Sequence, residues 1–117
     1  MSSAVVHLEL HTHDRAGARE FYSTLLGWQP QEVEAQGRSY LALDFGNGLG
    51  GGIVECGAPR PVWVPYVEVP EIGRATAHAQ ELGATVMLEP REGPAGWRSV
   101  IAVPAGGEVA LWEQKAR

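Results

Sequence analysis

The sequence predicts an α+β fold made of two βαβββ modules in one chain. Three observations lead there. Val5 to Asp14 alternates strictly between apolar residues (Val6, Leu8, Leu10) and polar ones (His7, Glu9, His11, His13), the period-2 pattern of a half-buried strand that runs into a helix cap. Two amphipathic helical segments end alike, at Leu26-Gly27 and Leu82-Gly83, about half a chain length apart. Each is followed by short strand-like pieces divided by Gly, Asn and Pro. Recurrence at that spacing implies an internal duplication.

Taken in order, Asp14 is a suitable N-cap for a helix over 15–26, with Ala18, Phe21, Tyr22 and Leu25 on one face and Gly27 as the left-handed stop. Strands follow over 31–35, 40–45 and 49–56. Gln36-Gly37 divides the first two, and Gly46-Asn47-Gly48 is a hairpin signal between the second and third. Gly50, Gly51 and Gly52 strip the third strand of side chains, which suits a bulge or the close approach of a ligand or second backbone. Gly57 to Pro61 is the one internal linker. The second module opens with a strand over 63–69. Pro70 is expected as the first helical residue, with Ile72, Ala75, Ala79 and Leu82 on the buried face. Strands over 85–89, 98–103 and 109–113 complete it. The chain is thus read as a single domain over 1–117, with module one at about 4–57 and module two at about 62–115.

Composition narrows the function. The chain has 117 residues, is 44% hydrophobic and carries a net charge of −5, enough for a core and without the basic surface that nucleic acid requires. Cys56 is the single cysteine, so no intrachain disulfide can form, and inert is the simpler reading of it. Met1 to Ala4 has no signal-peptide pattern, and no apolar run approaches the roughly 20 residues of a membrane span. A cytoplasmic location is expected, without nucleic-acid or membrane partners. The motifs of nucleotide P-loops and of serine nucleophile elbows are absent from the sequence.

Candidate site residues lie on the polar side of the strands. Burying the Glu9 carboxylate is costly unless it is paired; His7 and His11 on the same face are the natural partners. These three are the candidate catalytic residues, suited to proton transfer. His13 and His78 read as surface. Glu55, Tyr66, Glu68 and Trp112 are the candidate ligand-binding residues. Tyr66 and Glu68 share a face if Val67 and Val69 pack inward, and Trp112 shares the face of Ala110, so the two rings would line a pocket for a flat or apolar ligand. Trp63 and Trp97 either stack at a rim or cover strand edges.

The residues His7 to Asp14, Phe21-Tyr22 with Leu26-Gly27-Trp28, Trp63 to Val69, Glu81 to Ala84 and Gly107 to Glu113 resemble, in order and spacing, the vicinal oxygen chelate superfamily of glyoxalase I, bleomycin resistance proteins and extradiol dioxygenases. The resemblance implies that the strands form a concave, partly closed mixed sheet with the helices outside, and that the chain is a homodimer. In metal-dependent members, ligands come from the first and last strands of each module. By that resemblance His7 and Glu55 are the metal ligands, if there are any. The second-module positions fall on Val64 (or Pro65 with a one-residue slip) and Ala110, which have no coordinating group. A divergent member is implied, and no cofactor is expected, with a divalent metal as the alternative.

Three functions follow as expectations. The first is a metal-independent protein that holds a small apolar or aromatic ligand, with the acidic net charge favouring a cationic one. The second is a metal-free isomerase, epimerase or cyclase using His7, Glu9 and His11. The third is a metal-dependent lyase or dioxygenase.

Overall fold

The computed structural model describes residues 2–35, 37–56 and 61–115. Its elements are β1 (Val5–Thr12), α1 (Arg15–Leu26), β2 (Gln31–Ala35), β3 (Arg38–Asp44), β4 (Gly50–Glu55), β5 (Val62–Glu68), α2 (Ile72–Glu81), β6 (Thr85–Glu92), β7 (Gly96–Ala102) and β8 (Glu108–Gln114). The order is βαβββ twice, in an α+β fold. Two compact units are distinguished, His7–Val64 and Met1–Val6 with Pro65–Arg117. Gln36 of the first expected turn and residues 57–60 of the expected linker lie outside the described residues. No described helix is long and apolar enough to cross a membrane.

In the first unit the strands run in the order β2-β3-β4-β1. β2/β3 and β3/β4 are antiparallel, and β4/β1 is parallel. The second unit repeats the plan as β6-β7-β8-β5, with β8/β5 parallel and the other pairs antiparallel. Equivalent elements thus occupy equivalent places, as a duplicated module requires.

The apolar side of β1 meets α1. Leu10, Leu41, Leu43 and Ile53 form the buried cluster, with Ala18, Tyr22, Trp28, Phe45 and Trp63 packed against it. Trp63 is therefore part of the core: its indole N–H donates to the Tyr22 hydroxyl at 3.1 Å. Trp28 stacks on Tyr22 with ring centres 5.2 Å apart. The expected four-residue face of α1 is narrower than its periodicity suggests. Ala18 and Tyr22 are covered, while Phe21 and Leu25 stay 58% and 63% exposed, because the short helix rests on the sheet along one i, i+4 row. In the second unit Ile72, Ile101 and Leu111 are the buried cluster under α2, with Ala75, Ala79, Val69 and Trp97 against it. Leu82, expected on that face, is exposed because it is the C-cap, where the chain leaves helical geometry.

The helix ends follow from capping chemistry. Asp14 accepts from the Gly17 amide at 2.9 Å, and Gly27, at φ 72°, closes α1. Pro70 precedes α2 instead of opening it; Glu71 is the N-cap and gives no side-chain cap bond. Glu113 of β8 supplies that bond, accepting from the Ile72 amide at 2.8 Å. Glu55 of β4 does the same for α1, accepting from the Arg15 amide at 3.3 Å. A last-strand glutamate thus meets a helix N-terminus in both modules, where a carboxylate is favoured by the helix dipole. Under α2, the buried Thr76 hydroxyl donates to the Ile72 carbonyl at 2.7 Å, so its 2.8 Å contact with Ser99 is a bond that Ser99 donates.

The glycines of β4 play different parts. A methyl group on Gly51 would collide with the Leu8 carbonyl and the Phe45 ring, whereas one on Gly50 would find only the Leu43 carbonyl oxygen at 3.6 Å. Close approach of backbone and aromatic ring is thus what Gly51 permits. Gly51→Ala is expected to destabilise the fold by about 2 kcal/mol or more, and Gly50→Ala to be neutral or slightly stabilising through the unfolded state. Urea denaturation of the two variants measures the contrast.

Candidate functional site

The polar side of β1 forms the first cluster. Residues two apart on a strand project from the same face, which brings His7, Glu9 and His11 together. One Glu9 oxygen lies 3.2 Å from Nε2 of His7, and the other lies 2.9 Å from Nε2 of His11. An ionised carboxylate only accepts, so each ring presents an Nε2–H to it. The side chains of Glu9 and His11 are 13% and 15% exposed, and that of His7 is 33% exposed. The carboxylate thus links two imidazoles in a row, an arrangement able to hold and pass a proton.

The neighbouring strand sets little side-chain bulk beside that row. In the parallel register His7 lies beside Gly50, Glu9 beside Gly52 and His11 beside Val54. Gly50 and Gly52 contribute bare backbone to this face. The Tyr40 ring from β3 stands over Gly52, 3.3 Å from where a methyl would sit. Tyr40 was not singled out by the sequence, since its position over Gly52 emerges only when β3 and β4 are in register.

The same register relocates Glu55. It pairs with Thr12, which belongs to the Leu8–Leu10 side of β1, while His7 pairs with Gly50 at the other end of β4. Glu55 is exposed and bonded to the Arg15 amide. As a partner for His7, whether as metal ligand or pocket acid, it is misplaced: a shift of one residue in a strand reverses the face. His13 is exposed, and His78 is exposed beside Glu81 at 3.3 Å. Cys56 is half-buried and its amide donates to the Thr12 carbonyl.

The second cluster lies in the other unit. β5 and β8 pair Tyr66 with Ala110 and Glu68 with Trp112. Tyr66, Glu68, Ala110 and Trp112 therefore share one face, opposite Val67 and Leu111. The Tyr66 and Trp112 rings are 6.3 Å apart and tilted by 51°. Tyr66 is buried, whereas Glu68 is exposed. β7 adds a residue absent from the sequence reading: Arg98 pairs with Trp112, and its Nη1–H donates to the Tyr66 hydroxyl at 2.9 Å. Ala110 lies on the strand between them, and its small side chain gives the guanidinium room to reach across. Trp97, on the opposite face, packs against the α2 core with the Lys115 ammonium 5.8 Å from its ring centre.

The residues present do not fit a chelated metal. The two Nε2 atoms point at Glu9 and do not converge on a shared open position, and the described residues contain no group of three or more His, Cys, Asp or Glu able to hold an ion. Val64 and Ala110, at the second-module positions, are fully buried and have no donor atom.

Comparison with known proteins agrees with this architecture. The family described as bleomycin resistance protein-like N-terminal matches residues 4–40. The chain is 29% identical over 114 residues to CFP32 of Mycobacterium tuberculosis, by name a glyoxylase, covering 91% of this chain and 44% of that protein. It is 30% identical over 109 residues to the anthracycline biosynthesis protein DnrV of Streptomyces peucetius, covering 91% and 40% respectively. The chain thus spans less than half the length of these relatives. Among solved structures it is similar to methylmalonyl-CoA epimerase from Mycobacterium tuberculosis, with a TM-score of 0.60 at 16% identity over 99% of this chain and 93% of that one, a likeness of fold.

The geometry of the first cluster makes a quantitative expectation. In double-mutant cycles read by urea denaturation, the Glu9–His11 pair is expected to show a coupling of about 1 kcal/mol, and the longer, more exposed Glu9–His7 pair about half that. Equal couplings, or none, would count against the carboxylate as the centre of the row.

Proposed function

The chain belongs to the vicinal oxygen chelate superfamily, and from that premise we propose that it is a metal-independent small-molecule-binding domain that takes a flat aromatic ligand. The observation that carries this reading is the second cluster. At Ala110, where a metal-binding member would offer a ligand atom, this chain has a methyl group flanked by Tyr66 and Trp112, with Arg98 bonded across it. Two tilted aromatic faces favour a planar apolar partner over a hydrated ion. The 30% identity to a protein of anthracycline biosynthesis supports the same class of ligand, a fused-ring aromatic.

Titration calorimetry with a neutral anthraquinone tests the proposal. Trp112→Ala is expected to weaken binding by about tenfold. His7→Ala should change it by less than about twofold, and prior treatment with EDTA should leave it unchanged. Loss of affinity after chelation would overturn metal independence, and an undiminished affinity in Trp112→Ala would remove the aromatic face from the site.

The His7–Glu9–His11 row favours a second reading, a metal-free acid–base enzyme of the isomerase, epimerase or cyclase type. Glu9 between two imidazoles is placed to relay a proton, with His7, the most exposed of the three, beside the half-buried Gly50. NMR of a 2-substituted acyl thioester in deuterated water would then show wild-type-dependent exchange at the carbon next to the carbonyl. Glu9→Gln is expected to slow that exchange by about 100-fold. Exchange at the wild-type rate in Glu9→Gln would exclude the row as its source.

A further inference from the structure

We propose that Asn47 is a site of spontaneous modification, where the carboxamide is lost as ammonia and the β3–β4 turn is rebuilt partly through isoaspartate. Asn47 is the only asparagine in the chain, and a glycine follows it. Both lie exposed in the turn between β3 and β4, with φ 57° at Asn47 and 80° at Gly48. Positive φ at two central residues is a hairpin geometry that suits asparagine and glycine. Asparagine thus serves the backbone here, and a labile side chain comes with it. Two features leave the pair open to reaction. Among the described residues, neither the Asn47 carboxamide nor the Gly48 amide takes part in a hydrogen bond, whereas the Gly46 amide donates to Asp44 at 2.8 Å and the Leu49 amide to the Gly46 carbonyl at 3.2 Å. Methyl groups on Gly46 or Gly48 would meet nothing within 4 Å, so the backbone has room to turn on either side of Asn47. Attack requires the Asn47 side chain to swing over the next peptide nitrogen, and local opening of an exposed turn costs little.

The step needs no reactant but water. The Gly48 nitrogen bonds to Cγ of Asn47, the Cγ–Nδ2 bond breaks, and the proton given up by the Gly48 nitrogen leaves with the ammonia. The cyclic imide that results takes up one water. Addition at Cγ reopens it to aspartate. Addition at the main-chain carbonyl reopens it to isoaspartate, in which the chain runs through Cγ and is longer by an atom. Either product carries a new negative charge. The longer chain matters because this turn seats Phe45. The Phe45 amide donates to the Leu49 carbonyl at 3.0 Å across the turn. Its ring meets Trp28 with centres 5.0 Å apart and packs against the buried cluster under α1. An extra main-chain atom between Phe45 and Leu49 disrupts that pairing, whereas aspartate keeps the length of the turn and tolerates positive φ.

The test ages the folded full chain in mildly alkaline buffer and follows the peptide that contains Asn47 by mass spectrometry. Wild type is expected to show the mass change of ammonia exchanged for water, with both aspartate and isoaspartate at position 47. Asn47→Gly keeps the backbone geometry without the carboxamide and should show no change of mass. In urea denaturation, aged wild type should contain a population that unfolds at lower denaturant than the fresh protein. Asn47→Asp, which carries the charge without the longer chain, should unfold close to fresh wild type. A folded wild type that keeps its mass would overturn the proposal, and so would a mass change in Asn47→Gly, which would place the reaction at a glutamine. Aspartate without isoaspartate would overturn the cyclic route. An isoaspartyl form as stable as the fresh protein would overturn the link to Phe45.

Discussion

Parallel pairing of the first and last strand is the constraint on which each module depends. β1 lies on β4 and β5 lies on β8, and each pairing fixes at once which side chains meet the helix and which meet the opposite face. Because the period of a strand is two residues, no side chain can serve both sides. Leu10 goes to the α1 core and carries Glu9 and His11 to the other face. Leu111 goes to the α2 core and carries Ala110 and Trp112 to the other face. The two candidate sites are thus consequences of how the two cores are packed.

This explains what could be read in the sequence. The alternation of Val6, Leu8 and Leu10 with His7, Glu9 and His11 is a local pattern, and both the strand and its polar cluster were legible in it. Asp14 and Gly27 were legible as helix ends because capping depends on residues close in sequence. The face shared by Tyr66 and Trp112 followed from assigning Val67 and Val69 to the core. Arg98 and Tyr40 were not legible. Their roles exist only once neighbouring strands are in register, and no local pattern marks an arginine that reaches over an alanine on the neighbouring strand. Glu55 was misread for the same reason: its identity suggested a ligand, while pairing with Thr12 puts it on the helix side.

The fate of Glu55 and Glu113 shows how narrow that margin is. Each sits near the end of a last strand, and each accepts from a helix amide, at Arg15 and at Ile72. A carboxylate one position away on the same strand would face the opposite side and lie among the polar residues there. In the second module, Trp112 occupies the neighbouring position that does. The glutamates stabilise the helix starts, α2 especially, since Glu71 provides no cap of its own. In this chain Glu55 and Glu113 of the last strands serve the scaffold.

What remains on the polar faces is therefore chemically specific. The first module retains a carboxylate bonded to two imidazoles, with glycine backbone beside it. The second retains two aromatic rings and an arginine bonded between strands. Among the described residues, neither set assembles the convergent donors that a chelated ion needs. In the second module Arg98 pairs with Trp112 across the strands and donates to the Tyr66 hydroxyl. That bond ties the Arg98 side chain to β5 across β8. A small residue at position 110 is what allows the arginine to cross.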